Sequence, residues 1–149
     1  MRERLSTEGF SLIELLVVMG VILILASIAV PNFLKARRSA NEAAAVASLK
    51  AIGSGQLAYR STQGDFTTLD ILKQEKVVDD VLGSGYKSGY NFNSSPGTTP
   101  SLEFTATAEP AIPTGATATG NRFFFVNQDQ VIRYNNGSSA DANSSPLQN

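Results

Sequence analysis

The chain has 149 residues, room for about one domain, and a formal net charge of −1, without the basic surplus that marks a nucleic-acid-binding domain. It has no His and no Cys, which removes the usual general base and commonest metal ligand together with thiolate nucleophiles, zinc–thiolate sites and disulfides. An enzyme built from it would have to work with Asp, Glu, Lys, Tyr and Ser alone, and an exported fold would be held by packing and hydrogen bonds.

In chain order, residues 1–9 (MRERLSTEG) are polar and carry Arg2 and Arg4. Residues 10–30 form an apolar run with one charge, Glu14, and Leu, Ile and Val on every face. As a helix these residues span about 31 Å, enough to cross the roughly 30 Å hydrocarbon core of a bilayer once, and no polar face marks a soluble amphipathic helix. Pro31 closes the run; lacking an N–H and crowding the preceding turn, it predicts a kink or local break. The helical pattern then resumes through about residue 60, rich in Ala, Lys, Arg and Glu. Val46, Leu49, Ile52, Leu57 and Tyr59 fall in one arc, as a face packed on a core would, while Gly53 and Gly55 each cost about 1 kcal/mol relative to Ala. A single helix over 10–60 would be about 75 Å long, more than any globular domain this chain could build, so its first half must sit in lipid or against other copies of itself.

From Ser61 the texture changes. TTLDILKQEKVVDDVL (67–82) predicts one or two short helices, with Thr67 or Thr68 able to cap. Beyond Gly83-Ser84-Gly85 the segments 86–92, 101–108, 121–127 and 130–135 are rich in aromatic and β-branched residues and are separated by Gly, Pro, Asn and Ser clusters, the pattern of four strands. The last two flank Gln128 and Asp129 and predict a hairpin. Residues 136–149, polar and small, predict a flexible tail.

Chemistry-bearing constellations are sparse. Asp79-Asp80 is the one adjacent carboxylate pair and reads as a solvated turn. Lys73 and Lys76 have no nucleophile context, and Gly83-Ser84-Gly85 lacks a phosphate-cradling motif around it. The informative string is Gly9-Phe10-Ser11-Leu12-Ile13-Glu14, followed by the apolar helix and Pro31. A secretory signal is cut after its apolar stretch, at a small-x-small site. Here the polar leader has nine residues, a Gly ends it, and Val30-Pro31-Asn32 offers no such site.

This string resembles the type IV prepilins and type II secretion pseudopilins. The resemblance is close over about residues 6–36, with a looser likeness in segment order beyond. It implies cleavage between Gly9 and Phe10 by a membrane-embedded prepilin peptidase and N-methylation of Phe10. Glu14 is the fifth residue after the cut and Pro31 the twenty-second, as in the family. The implied fold is α+β: a long N-terminal helix, membrane-spanning in its first half (10–31) and amphipathic in its second (32–60), packed on a small antiparallel sheet of about four strands in a head over 61–135. The implied function is that of a structural subunit polymerising into a pilus-like extracellular filament, for adhesion, motility, DNA uptake or a similar task. The implied partners are further copies of the chain, the peptidase, an inner-membrane assembly platform and minor pilins. The implied location is the inner membrane as a single-pass precursor, then an extracellular filament or a periplasmic pseudopilus. No cofactor and no metal are implied. Calcium, bound by some pseudopilins in a C-terminal loop, would have only Asp129 and Asp141 after Glu109, at a spacing that matches no ligand pattern.

A carboxylate near the bilayer interior costs about 2.5–3.5 kcal/mol on insertion scales and is usually functional. Glu14 also suits a first helical turn, where negative charge meets the macrodipole. In the family reading it pairs with the amine of Phe10 in a neighbouring copy and sets the register of assembly, because an unpaired buried charge is heavily penalised. Pro31 either marks the end of the membrane segment or lets the helix unwind in a filament. Gly20 is a weak point, or a place of close helix approach. Lys35, Arg37 and Arg38 follow the span as Arg2 and Arg4 precede it, so the positive-inside rule does not orient the chain. The three following charges read as snorkelling to headgroups, with pairing to Glu42, Asp79 or Asp80 of another copy as the alternative. Asn136-Gly137-Ser138 and Asn143-Ser144-Ser145 fit a glycosylation sequon, against a bare tail. Phe10, Phe33 and Tyr59, 23 and 26 residues apart, give no aromatic path along one helix. Two other functions stay open: a secretion pseudopilin, and a single-pass anchored binding domain that never polymerises.

Overall fold

The computed structural model describes residues 9–148, so eight of the nine expected leader residues lie outside the described residues. α1 runs from Leu12 to Gln63. The chain forms two units that meet between Lys35 and Ala36, the first holding the N-terminal part of α1 and the second everything that follows.

In the first unit the helix continues through Gly20 and Pro31 without interruption. The Ser27 hydroxyl donates to the Ile24 carbonyl at 2.7 Å. Pro31 has no N–H, so the carbonyl one turn before it loses its helical donor. None of its large apolar side chains is buried; Leu12, Leu23 and Ile28 are 80%, 69% and 63% exposed.

In the second unit α1 continues from Ala36, and the arc Glu42, Ala45, Leu49, Ile52 and Gln56 is buried. This spacing of three or four places the row on one helical face. Leu57, expected on that arc, is 41% exposed instead, because it lies one residue past Gln56 and points off the face. Two short helices follow, α2 (Leu69–Gln74) and α3 (Asp80–Gly83). Thr68 occupies the cap position of α2 without a side-chain cap bond, whereas the Asp79 carboxylate caps α3 by accepting from the Leu82 N–H.

Among the described residues six strands, not four, make one antiparallel sheet in strict chain order: β1 (Tyr86–Lys87), β2 (Tyr90–Pro96), β3 (Phe104–Pro110), β4 (Arg122–Asn127), β5 (Arg133–Asn136) and β6 (Ser145–Pro146). The segment 86–92, read as one strand, is folded back on itself at Ser88-Gly89, both with positive φ (50° and 75°). Two consecutive positive φ values match the primed turns that suit strand twist, and Gly takes the second at no steric cost. The expected hairpin of β4 and β5 forms, with Phe125 opposite Arg133 and a connection over 128–132.

The helix-facing side of the sheet contributes Tyr90, Phe92, Phe104, Ala106, Ala108, Phe124 and Val126 to a core with Ala45, Leu49, Ile52, Leu72 and Leu82. Ala106 and Ala108 keep β3 thin where the helix lies close. Gly53 plays the same part in α1: a Cβ there would meet the side chain of Gln130. The helix therefore keeps both of the glycines that cost it propensity and extends past them to Gln63.

The polar tail differs from its expectation. Residues 137–144 cross the far side of the sheet, where Ala140 covers Phe123 and Phe125 and Ser139 donates to Glu109 at 2.7 Å. The chain then returns as β6 beside β5, with Leu147 packed on the core and its N–H bonded to the Ile132 carbonyl at 2.7 Å. Composition gave no hint of this, because the ordering comes from one Ala, one Leu and backbone pairing.

Candidate assembly surface

Gly9 and Phe10 precede α1 without secondary structure and both are exposed, Phe10 at 86%. Glu14 lies in the first turn, where the free N–H groups favour a negative charge, and it is exposed. The Leu15 N–H donates to the Ser11 carbonyl at 3.2 Å. Phe10 and Glu14 are thus four residues apart at the very start of the helix. Gly20 has no atom within 4 Å of where a Cβ would stand. The helix is long and apolar enough to cross a membrane, and none of its apolar window is buried within the chain.

The basic and acidic residues beyond the span are arranged otherwise than expected. Arg38 does not snorkel: its guanidinium donates to the carbonyls of Gly115, Ala116 and Ala118 at 2.8, 2.9 and 3.2 Å. Asn41 donates to the Thr119 carbonyl at 2.9 Å. Glu42 accepts from the Asn121 N–H at 2.9 Å and from Arg122 Nε at 2.7 Å. Residues 38, 41 and 42 share a helical face, so three polar side chains grip the loop between β3 and β4. The acids named for pairing with another copy are taken within the chain: Glu42 by Arg122, Asp79 by Lys87 at 3.0 Å, and Asp80 by Lys76 at 2.9 Å. The Leu82 N–H and then Lys87 hold the Asp79 carboxyl below its ordinary pKa, and Lys76 does the same for Asp80. Burial pushes the Tyr90 hydroxyl well above its usual range, so it stays protonated and donates to the Arg122 carbonyl at 2.9 Å. Sequence reasoning missed the Glu42–Arg122 pair. One signal was available, since a carboxylate on an otherwise apolar buried arc requires a partner.

The remaining candidates do not assemble into a site. Among the described residues no group of His, Cys, Asp or Glu is arranged to hold a metal ion. Asp129 is paired with Arg133 at 2.6 Å, and Asp141 accepts from the Asn143 N–H and the Ser144 hydroxyl at 2.9 Å each.

A family model for the prokaryotic N-terminal methylation motif matches residues 4–30. The chain is 38% identical over 63 residues to the type IV wide pilus major component PilA4 of Thermus thermophilus, and 39% identical over 60 residues to the type IV major pilin protein PilA of Myxococcus xanthus. Over its N-terminal part the chain is therefore similar to type IV pilins. The matches cover 42% and 40% of this chain and 48% and 27% of the two relatives, so the chain spans about half or less of the proteins it resembles. The long helix and the antiparallel sheet are consistent with the α+β fold of type IV pilins, and both relatives are named as pilus subunits.

Proposed function

We propose that this chain is a pilin, a structural subunit that is parked in a membrane by residues 10–30, cut between Gly9 and Phe10, methylated at Phe10 and polymerised into a helical filament outside the cell. The observation that carries the reading is the exposure of the apolar helical surface. Sixteen large apolar side chains from Phe10 to Phe33 stand at 49–86% exposure, an arrangement that water does not tolerate and that lipid or a bundle of like helices removes. Passing from lipid to such a bundle exchanges one apolar surrounding for another, so assembly draws on packing and polar pairing rather than on fresh burial from water. Glu14 then supplies direction. Buried without a cation it is costly, and the amine created at Phe10 of a neighbouring copy answers it; methylation leaves that charge in place. Gly20 and Pro31 are the two positions at which this helix would yield under load. The partners of the reading are further copies, a prepilin peptidase, an inner-membrane assembly platform and minor pilins.

Replacing Glu14 with Ala tests it. Sheared filament yield should fall at least tenfold while the membrane-bound subunit remains at its normal level; unchanged filaments would refute the register role. The same substitution separates the two open readings, since a non-polymerising anchored domain would be indifferent to it. The mass of the isolated subunit should correspond to a chain beginning at methylated Phe10, and a chain retaining Met1 contradicts processing. The names of both relatives favour a surface pilus over a secretion pseudopilus, which would instead leave the filament short and periplasmic.

A further inference from the structure

On the helix-facing side of the sheet, at its β6 edge, lies a cleft of about 470 Å³ lined by Arg122, Tyr134, Ser145, Pro146, Leu147 and Gln148. Arg122 is held there from behind. Its Nε is bound by Glu42, whose side chain is only 10% exposed, and its guanidinium lies over the rings of Phe124 and Tyr134, 5.5 and 5.6 Å from their centroids. A guanidinium fixed by a carboxylate and by aromatic faces has lost its rotamer freedom before any ligand arrives, which lowers the cost of binding. Only Nε is engaged. The two terminal nitrogens have no hydrogen-bond partner among the described residues, and the side chain is 35% exposed. The Tyr134 hydroxyl, the Ser145 hydroxyl and the Gln148 amide likewise have no hydrogen-bond partner among the described residues, and none of the described residues lining the cleft is a carboxylate.

We propose that this cleft binds an organic carboxylate, with the terminal nitrogens of Arg122 as a two-pronged donor. The planar fork matches the planar carboxylate, both oxygens of which accept at once. Tyr134, Ser145 and Gln148 supply further donors for hydroxyl or carboxylate oxygens, and Pro146 and Leu147 supply an apolar wall for the carbon skeleton. Glu42 already neutralises the guanidinium, so recognition comes from directed hydrogen bonds and not from net charge. This favours a planar monoanion over a tetrahedral dianion such as phosphate. The volume falls in the range of small-ligand sites and suits a molecule the size of an acidic monosaccharide. The site belongs to one subunit and does not depend on polymerisation.

The test is titration of the full chain in detergent micelles, followed by amide and Arg side-chain resonances. The probe is glucuronate, with glucose as the uncharged analogue and inorganic phosphate as the tetrahedral one. Saturable glucuronate shifts centred on Arg122, Tyr134, Ser145 and Gln148, with glucose inert and phosphate at least fivefold weaker, are expected. Arg122→Lys, which keeps the charge and loses the fork, should weaken glucuronate at least tenfold. Ser145 and Gln148 are exposed, so the double variant Ser145→Ala, Gln148→Ala keeps the fold and should weaken it at least threefold, which decides the matter even if Arg122→Lys unfolds. No saturable shift at 50 mM, equal binding of glucose or phosphate, or undiminished binding by the double variant would each overturn the assignment.

Discussion

Glu42 heads the row on α1 that continues through Ala45, Leu49, Ile52 and Gln56. At one end of that row a carboxylate meets Arg122 and the Asn121 N–H; at the other an uncharged amide is satisfied on both sides. Gln56 donates to the Thr67 carbonyl and to Ser94, and accepts from the Thr67 N–H at 3.0 Å. Removing one partner from such a group costs more than the bond itself contributes, since the other is left dry. Glu42→Gln retains shape but leaves Arg122 without its counter-charge. With Arg122 partly solvated, the loss should be about 1.5–3 kcal/mol, measured by denaturant unfolding of the full chain in micelles. Gly120 presents a second single-residue dependence, because a Cβ there would run into the hydroxyl end of fully buried Tyr90. Gly120→Ala should therefore cost about 1–3 kcal/mol, as overpacking does. Gly20→Ala, with open space around it, should leave the head's unfolding midpoint unchanged while raising helix propensity by about 1 kcal/mol; a matching loss in both variants would refute the steric account.

At the level of elements, α3 is a four-residue turn held by its cap. The Asp79 carboxylate accepts from the Leu82 N–H and is paired with Lys87, and both lower its pKa in the folded chain. Its contribution is therefore fully present above the unfolded value near 3.9 and fades as pH falls through the lower folded value. Asp79→Ala should cost about 0.5–2 kcal/mol at neutral pH. That difference from the parent chain should narrow below about pH 4, checked by thermal midpoints across an acid titration; a gap that persists at pH 2 would mean that the cap acts through packing instead. The second half of α1 was legible because Leu49 and Ile52 recur at helical spacing. β1 and β2 were not separable, since Ser88-Gly89 sits inside an aromatic segment and only its positive φ values reveal a turn. The tail was misread for a related reason: Ala140 and Leu147 are too few to signal burial until Phe123 and Phe125 are known to need a cover.

For the whole molecule, the apolar helix of the first unit was readable from its sequence, although the break expected at Pro31 does not occur and the helix runs on. Gly9, a lone acid at Glu14 and Pro31 at the end of an apolar run are local features, each carried by a single residue at a fixed offset. The contacts that hold the second unit join residues far apart in the chain. Glu42 and Arg122 are separated by 80 positions, and the other bonds that fasten the β3–β4 loop to α1 span 77–80, so no local pattern encodes them. The same contrast divides the chain energetically. The head is stabilised by its own contacts, whereas the N-terminal helix displays its apolar surface to whatever surrounds it, so substitutions there should register in membrane residence or filament yield and barely in unfolding of the head.

The strict β1-to-β6 order carries one more consequence. Every strand pairs with its immediate predecessor, so the sheet can be zipped from one end as the chain is delivered, with no strand waiting for a later one to be inserted beside it. Low sequence separation between partners favours rapid closure, and a chain without Cys has no redox step to await. Only β6 arrives last, and its addition seals the edge and the far-side cover together. The head thus needs neither an oxidant nor a long-lived open intermediate to reach its folded shape.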